Sequence, residues 1–267
     1  MIEASLQEQL RLQYNPDKSP LRTLQLQMLD ILIEFDRICK KHNIQYWLDA
    51  GTLLGAVRHG GFIPWDDDID VCMFPDDYKK FCKICQAELA SPYKWHAAKT
   101  KENYYSHWGR VVNEEIVVKR RLKNPDRIES YNVWLDVFIV EEGAVKTKQK
   151  IEQLYGKCLR RKYKHITDGK FSYYIALLLL PCIESFLSIL RVWNKIVHRD
   201  ELIYIYGAPF SSKHYYKKDI FPLSLIEFEG HSFCAPGNPH GYLTTSFGEY
   251  SSIPPEEKRV THDFILS

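Results

Sequence analysis

A chain of 267 residues suits one large domain or two small ones, and can bury roughly 70–75% of the surface its unfolded form exposes. Its 45% hydrophobic and 26% charged residues are ordinary globular values, which excludes wholesale disorder. The 36 Lys and Arg nearly balance the 34 Asp and Glu, and a net charge of +2 argues against binding nucleic acid through bulk charge.

The opening Met1-Ile2-Glu3-Ala4-Ser5-Leu6-Gln7-Glu8 has no basic stretch leading into an apolar run, so no secretory signal and a cytoplasmic location are expected. Ser19 as N-cap and Pro20 at the first helical position open a periodic segment. Its apolar positions, Leu21, Leu24, Met28, Ile31, Leu32, Phe35 and Ile38, predict a helix ending near Asn43. A short strand at Gln45–Leu48, a turn at Gly51-Thr52 and a brief helix from Thr52 to His59 follow. A second strand is predicted over Asp68–Phe74, then a helix capped by Asp76 and running to Leu89. Within it lies the only CxxC, Cys82-Lys83-Ile84-Cys85; without a second pair it reads as packing on a helix face, not as zinc ligation. The seven cysteines show no framework spacing and read as buried thiols.

Further strands are expected over residues 93–97, 107–112, 116–120 and 132–140, which makes the fold α+β, a mixed sheet with flanking helices. Residues 145–165 read as a basic helix. Residues 171–193 are strongly apolar around Leu177–Leu180 but interrupted by Pro181 and Glu184. That stretch is expected to be a helix buried in the protein, with membrane contact as the second reading and a spanning helix last. Residues 201–267 read as loops with a strand pair near 225–233 and one short helix.

The chemistry concentrates in Tyr46-Trp47-Leu48-Asp49-Ala50-Gly51-Thr52-Leu53-Leu54-Gly55 and Ile63-Pro64-Trp65-Asp66-Asp67-Asp68-Ile69-Asp70-Val71. On a strand, Asp66, Asp68 and Asp70 project to one side and Asp67 to the other. Like charges on one face repel unless a cation neutralises them, and oxygen ligands without His or Cys suit Mg²⁺ or Mn²⁺. The turn at Gly51 and Thr52 offers backbone N–H groups and a helix start to a phosphate, with Arg58 and His59 adding positive charge.

These residues resemble the nucleotidyltransferase-fold superfamily, and more specifically the LicD family of phosphotransferases, which are related to fukutin-type proteins. The likeness is carried by Gly51-Thr52-Leu53-Leu54-Gly55-Ala56-Val57-Arg58 and Ile63-Pro64-Trp65-Asp66-Asp67-Asp68-Ile69-Asp70. Phe221-Pro222-Leu223, Glu227-Phe228-Glu229-Gly230, Tyr242-Leu243, Phe247-Gly248, and Pro254-Pro255 with His262 support it. The resemblance implies a catalytic core over residues 1–144, a helical segment over 145–200 facing a membrane or the acceptor, and a C-terminal portion, 201–267, that completes the active site. It further implies metal-dependent transfer of phosphocholine from CDP-choline to a sugar hydroxyl of a cell-surface glycan or lipid-linked glycan precursor, of teichoic acid or lipopolysaccharide type, releasing CMP. Ribitol phosphate or plain nucleotidyl transfer are the enzymatic alternatives, and an inactive membrane scaffold the non-enzymatic one.

The superfamily draws a third carboxylate from a later strand, and Asp136, within Val133-Trp134-Leu135-Asp136-Val137-Phe138, is the candidate. The resemblance thus assigns catalysis and metal binding to Asp68, Asp70 and Asp136. Donor binding falls to Gly51, Thr52, Arg58 and Arg110. A structural ion pair is the alternative for Asp136, since a buried carboxylate must be paired. Ring faces suit a quaternary ammonium, with Tyr104, Tyr105 and Trp108, or Tyr215 and Tyr216, as candidates. Peripheral contact at the inner face of the plasma membrane fits the basic flanks of the 171–193 stretch.

Overall fold

The structure, a computed structural model, describes residues 2–97, 106–121, 128–163, 170–197, 199–206, 208, 212–259 and 264–266. Its first helix, α1 (Ala4–Tyr14), precedes the long α2 (Pro20–Lys41). The Ser19 hydroxyl accepts the Arg22 N–H at 3.1 Å, as its N-cap position predicts, and Asn43 closes the far end at φ +50°. Every predicted apolar position of α2 is buried, and Phe35 meets the rings of Tyr46 and Phe81 at 5.0 and 4.9 Å.

The next elements are β1 (Trp47–Leu48), α3 (Ala50–His59), β2 (Asp70–Met73), α4 (Pro75–Glu88), β3 (Tyr93–His96), β4 (Gly109–Arg121) and β5 (Ile128–Glu142). After them come α5 (Val145–Tyr163), α6 (Lys170–Ile196), β6 (Glu201–Tyr204), β7 (His214–Tyr216), α7 (Lys217–Ile220), β8 (Ser224–Phe228), β9 (His231–Ala235), α8 (Pro239–Phe247) and β10 (Phe264–Leu266). The fold is α+β. The sheet runs β1-β2-β5-β4-β10, with β2 and β5 parallel and the other pairs antiparallel. On its flanks β3 adds to β4, while β6 and β7 extend β5. Helix α2 packs beneath β4, β5 and β10. The two predicted strands over 107–120 are one strand, bulged between Asn113 and Val117.

Three expectations need correction. Strand β2 starts at Asp70, not Asp68, because residues 63–69 form a turn and irregular backbone held by Gln25, whose Nε2 donates to the Ile63 and Asp66 carbonyls. The cap of α4 is Phe74, with Pro75 fixing the first turn and Asp76 inside the helix. Helix α6 is not interior: Leu180, Leu187 and Asn194 face inward, while Leu178, Ile189 and Ile196 are 74%, 69% and 63% exposed. Local apolarity reports that a face avoids water, not that the protein supplies its cover. Among the described residues no helix is long and apolar enough to cross a membrane.

The CxxC lies on α4 as the packing reading expects, and burial pushes the Cys85 thiol up to about 12. Phe35→Ala should cost about 3–5 kcal/mol in chemical denaturation, whereas Leu178→Ala should stay within about 0.5 kcal/mol of wild type.

Candidate active site

The site is built around the start of α3. Asp49, its N-cap, has no exposed surface. Its carboxylate accepts the Ala50 N–H at 2.7 Å, the Tyr204 hydroxyl at 2.6 Å, the Tyr242 hydroxyl at 2.7 Å and, more weakly, the Tyr215 hydroxyl at 3.5 Å. Tyr242 also accepts the Trp47 indole N–H at 3.1 Å, and its ring stacks on Tyr215 at 4.0 Å. Burial raises the pKa of Asp49, while the three hydroxyls and the N–H oppose that rise. Ala50 follows at φ +44°, a left-handed conformation that is strained for a residue with a Cβ.

Gly51 then lies directly against the acidic residues. A Cβ there would stand 2.7 Å from Asp66 Oδ2 and 3.8 Å from Asp68 Oδ1, so any other residue would push the Asp66 carboxylate from its present place. Thr52 Oγ1 accepts the backbone N–H of Asp70 at 2.8 Å, which ties the first turn of α3 to the first residue of β2. The Asp49 N–H donates to the Asp70 carbonyl at 3.1 Å, and the Asp136 N–H donates to the Ile69 carbonyl at 3.0 Å.

Asp70 is the register partner of Asp136 on β5, and Asp136 is the register partner of Arg110 on β4. The three residues form one row across three strands. Asp136 Oδ1 accepts from Arg110 Nε at 2.7 Å and Trp108 Nε1 at 2.5 Å. Its Oδ2 accepts from Trp134 Nε1 at 2.7 Å and, at 3.4 Å, from Arg110 Nη2. The Arg110 guanidinium also lies 4.1 Å from the Trp134 ring centroid. At the other end of the row the charges are of one sign. Burial, and then the charges of Asp68, Asp136, Asp49 and Asp66, push the Asp70 pKa well above the usual carboxylate range. Burial followed by Asp68 and Asp67 does the same to Asp66.

The structure therefore brings Gly51, Thr52, Asp68, Asp70, Asp136 and Arg110 together, with Asp68 just ahead of β2. Arg58 is in the last turn of α3, at the opposite end from Gly51 and Thr52. Its Nη1 donates to the Tyr250 and Ser252 carbonyls at 3.0 and 3.3 Å, and its Nε to His59 Nε2 at 2.9 Å. Burial and then Arg58 hold the His59 pKa at about 3, so His59 is neutral and does not add the positive charge expected of it.

The donor chemistry of Asp66, Asp68 and Asp70 fits a hard divalent cation, and their mutual repulsion is what such an ion would relieve. The three-ligand arrangement expected of Asp68, Asp70 and Asp136 is not assembled: Asp136 is engaged with Arg110 and two indoles. Among the described residues no group of three His, Cys, Asp or Glu side chains is set to hold a metal. Tyr104, Tyr105 and His262 lie outside the described residues. Trp108 and Tyr215 are turned to Asp136 and Asp49.

Sequence reasoning assigned no role to Asp49, Tyr204, Tyr242 or Trp134. Asp49 lay within the singled-out segment and Tyr242 within the family likeness, while Trp134 is two residues from Asp136 and so on the same side of its strand.

A mixed α+β sheet with carboxylates on adjacent parallel strands beside a glycine helix start is a nucleotidyltransferase-like fold. Residues 43–165 match the family model described as LicD/FKTN/FKRP, nucleotidyltransferase domain. It is 29% identical over 268 residues to the lipopolysaccharide cholinephosphotransferase LicD of Haemophilus influenzae, covering 92% of this chain and 96% of the relative. Shorter similarities reach human ribitol 5-phosphate transferase FKRP, 44% identical over 48 residues, covering 18% of this chain and 10% of the relative. Mouse ribitol-5-phosphate transferase FKTN is 33% identical over 64 residues, 24% of this chain and 14% of the relative.

Asp70→Asn should raise the melting temperature at neutral pH, by roughly 2–4 °C for each kcal/mol of repulsion removed. The sign follows from the raised pKa: the destabilisation is present while Asp70 is ionised and fades as pH falls through its folded-state pKa. Scanning calorimetry at neutral and mildly acidic pH should show the gain shrinking with acid. Tyr242→Phe removes one donor from Asp49 and the acceptor of Trp47, and should cost about 1–3 kcal/mol by urea unfolding.

Proposed function

We propose that this chain transfers phosphocholine from CDP-choline to a sugar hydroxyl of a cell-surface glycan precursor, of lipopolysaccharide or teichoic acid type, and releases CMP. The observation that carries this reading is the row Asp70–Asp136–Arg110 set beside the Gly51 helix start. It puts a guanidinium and an anion-binding helix end on either side of an acidic group, an arrangement that suits a diphosphate donor and a hydroxyl acceptor. The similarity to a cholinephosphotransferase over nearly the whole of both chains favours choline over ribitol, for which the similarities are short.

In this reading the N–H groups at the start of α3 bind the donor diphosphate, and glycine at position 51 keeps that approach open. Asp136 and the Trp134 ring hold the Arg110 guanidinium, leaving Nη1 to donate to a diphosphate oxygen. Asp136 thereby acts through Arg110 and does not itself take the acceptor proton, since both of its oxygens already receive N–H bonds. The acceptor hydroxyl oxygen attacks the phosphorus distal to the nucleoside, its proton passes to a carboxylate oxygen of the acidic group, and the P–O bond to CMP breaks. Asp68 and Asp70 would hold a Mg²⁺ or Mn²⁺ ion, which when bound neutralises charge on the diphosphate. Arg58, placed by our reading outside the donor site, holds residues 250–252 to α3.

CDP-choline labelled separately in its nucleoside and its choline distinguishes the readings. The choline label should enter the acceptor and the nucleoside label should leave as CMP; nucleoside label in the acceptor would mean nucleotidyl transfer, and a preference for CDP-ribitol would transfer the assignment to that donor. Asp68→Asn, Asp70→Asn and Asp136→Asn should each lose at least about 10²-fold in turnover.

A further inference from the structure

The outward face of α6 has no counterpart in the chemistry above. Leu178, Cys182, Ile189, Trp193 and Ile196 recur at three-, four- and seven-residue steps along it, opposite the buried Leu180, Leu187 and Asn194. Trp193 is 57% exposed, close to the values of its aliphatic neighbours. The face is long as well as apolar: 27 residues at about 1.5 Å each make a helix of roughly 40 Å. Isolated exposed apolar residues need no explanation, but a continuous stripe of this length does.

Charge indicates what covers it. Residues 145–200 carry twelve Lys and Arg against four Asp and Glu, a net +8 in a chain whose total is +2. The remainder of the molecule is therefore acidic overall. Lys146, Lys150 and Lys157 on α5, together with Lys195 and Arg199, are exposed. Helix α5 packs against α6 through Tyr155 and Cys158, in one cluster with Leu180 and Leu187, and carries its exposed lysines on the face turned away from that contact. Two copies meeting through this face would bring two strongly positive segments together, which disfavours a second copy as the cover. An anionic surface with an apolar layer beneath it satisfies both features: lysines meet the headgroups and the stripe enters the acyl boundary. Pro181 and Glu184 lie within the continuous helix and break its apolar run, and it does not qualify to cross a bilayer.

We propose that the outer face of α6, with the basic residues of α5, docks this chain onto an anionic lipid bilayer, lying in the plane of the headgroups. The interaction is independent of the reaction assigned above. It would restrict the chain to acceptors presented at a membrane surface.

Sedimentation with vesicles of phosphatidylcholine, with and without added phosphatidylglycerol, tests this on the full chain. Binding should appear with the anionic lipid and weaken as salt is raised. The triple variant Leu178→Ser/Ile189→Ser/Trp193→Ser should lose roughly tenfold or more of its vesicle partition. Lys146→Glu/Lys150→Glu/Lys157→Glu should lose a similar amount. Because all six side chains are exposed, both variants should keep the wild-type melting temperature, which separates lost docking from lost folding. No binding, equal binding to neutral and anionic vesicles, or a wild-type dimer in analytical ultracentrifugation that the serine variant dissolves would each overturn the proposal.

Discussion

A carboxylate with no access to water persists in a fold only where other donors replace the water it has lost. Asp49 is such a group, and the donors come from four places in the chain: its own helix start, β6, β7 and α8. Because these donors must converge on one pair of oxygens, Asp49 fixes the start of α3 relative to the C-terminal third of the molecule. The far end of α3 is fixed independently. Arg58 donates to the carbonyls of residues 250 and 252, and Glu229, in the left-handed turn of the β8–β9 hairpin, accepts from the Phe62 N–H and from Arg22. A ten-residue helix is thus held at both ends by segments far away in sequence, and its first turn can be set against the acidic residues without drifting.

That placement is electrostatically unfavourable, and the structure relieves only part of it. Arg110 and two indoles compensate Asp136, whereas half-buried Asp66 and buried Asp70 stand beside other carboxylates with their pKa values pushed up. Ala50 adds backbone strain at the same point. Repulsion and strain collected at one helix start, in a fold otherwise regularly packed, mark this as the candidate site.

What the sequence revealed and what it hid divides along the range of the forces involved. The periodicity of α2, the glycine turn and the apolar setting of Asp136 are local patterns: the first gave a helix that is observed, and the other two gave residues that the fold brings close to one another. Strand β2 was harder, because alternation continued through Asp66 and Asp68 while the backbone there is held in a turn by Gln25, about forty residues earlier. The tyrosines that hold Asp49 are more than 150 residues away from it, and no local pattern ties them to it. The pairing of Arg110 with Asp136 depends on the register of two strands that meet from distant parts of the sequence, which composition does not encode. Arg58 looked like a phosphate ligand because it lies inside a long motif, yet its N–H groups hold the C-terminal segment. The apolarity of α6 was plain from the sequence, but the side of the helix that stays uncovered was not.

The central claim is that Asp136 and Arg110 work as one unit, with the carboxylate acting through the guanidinium. A double-mutant cycle on the turnover number tests it directly, using Arg110→Met, Asp136→Asn and the pair in the intact chain. If the unit is real, the double variant should be no slower than the slower single variant, because the second substitution removes a group that has already lost its partner. Losses that multiply, with the double variant slower by the product of the two single effects, would show that the residues act separately and would contradict the account.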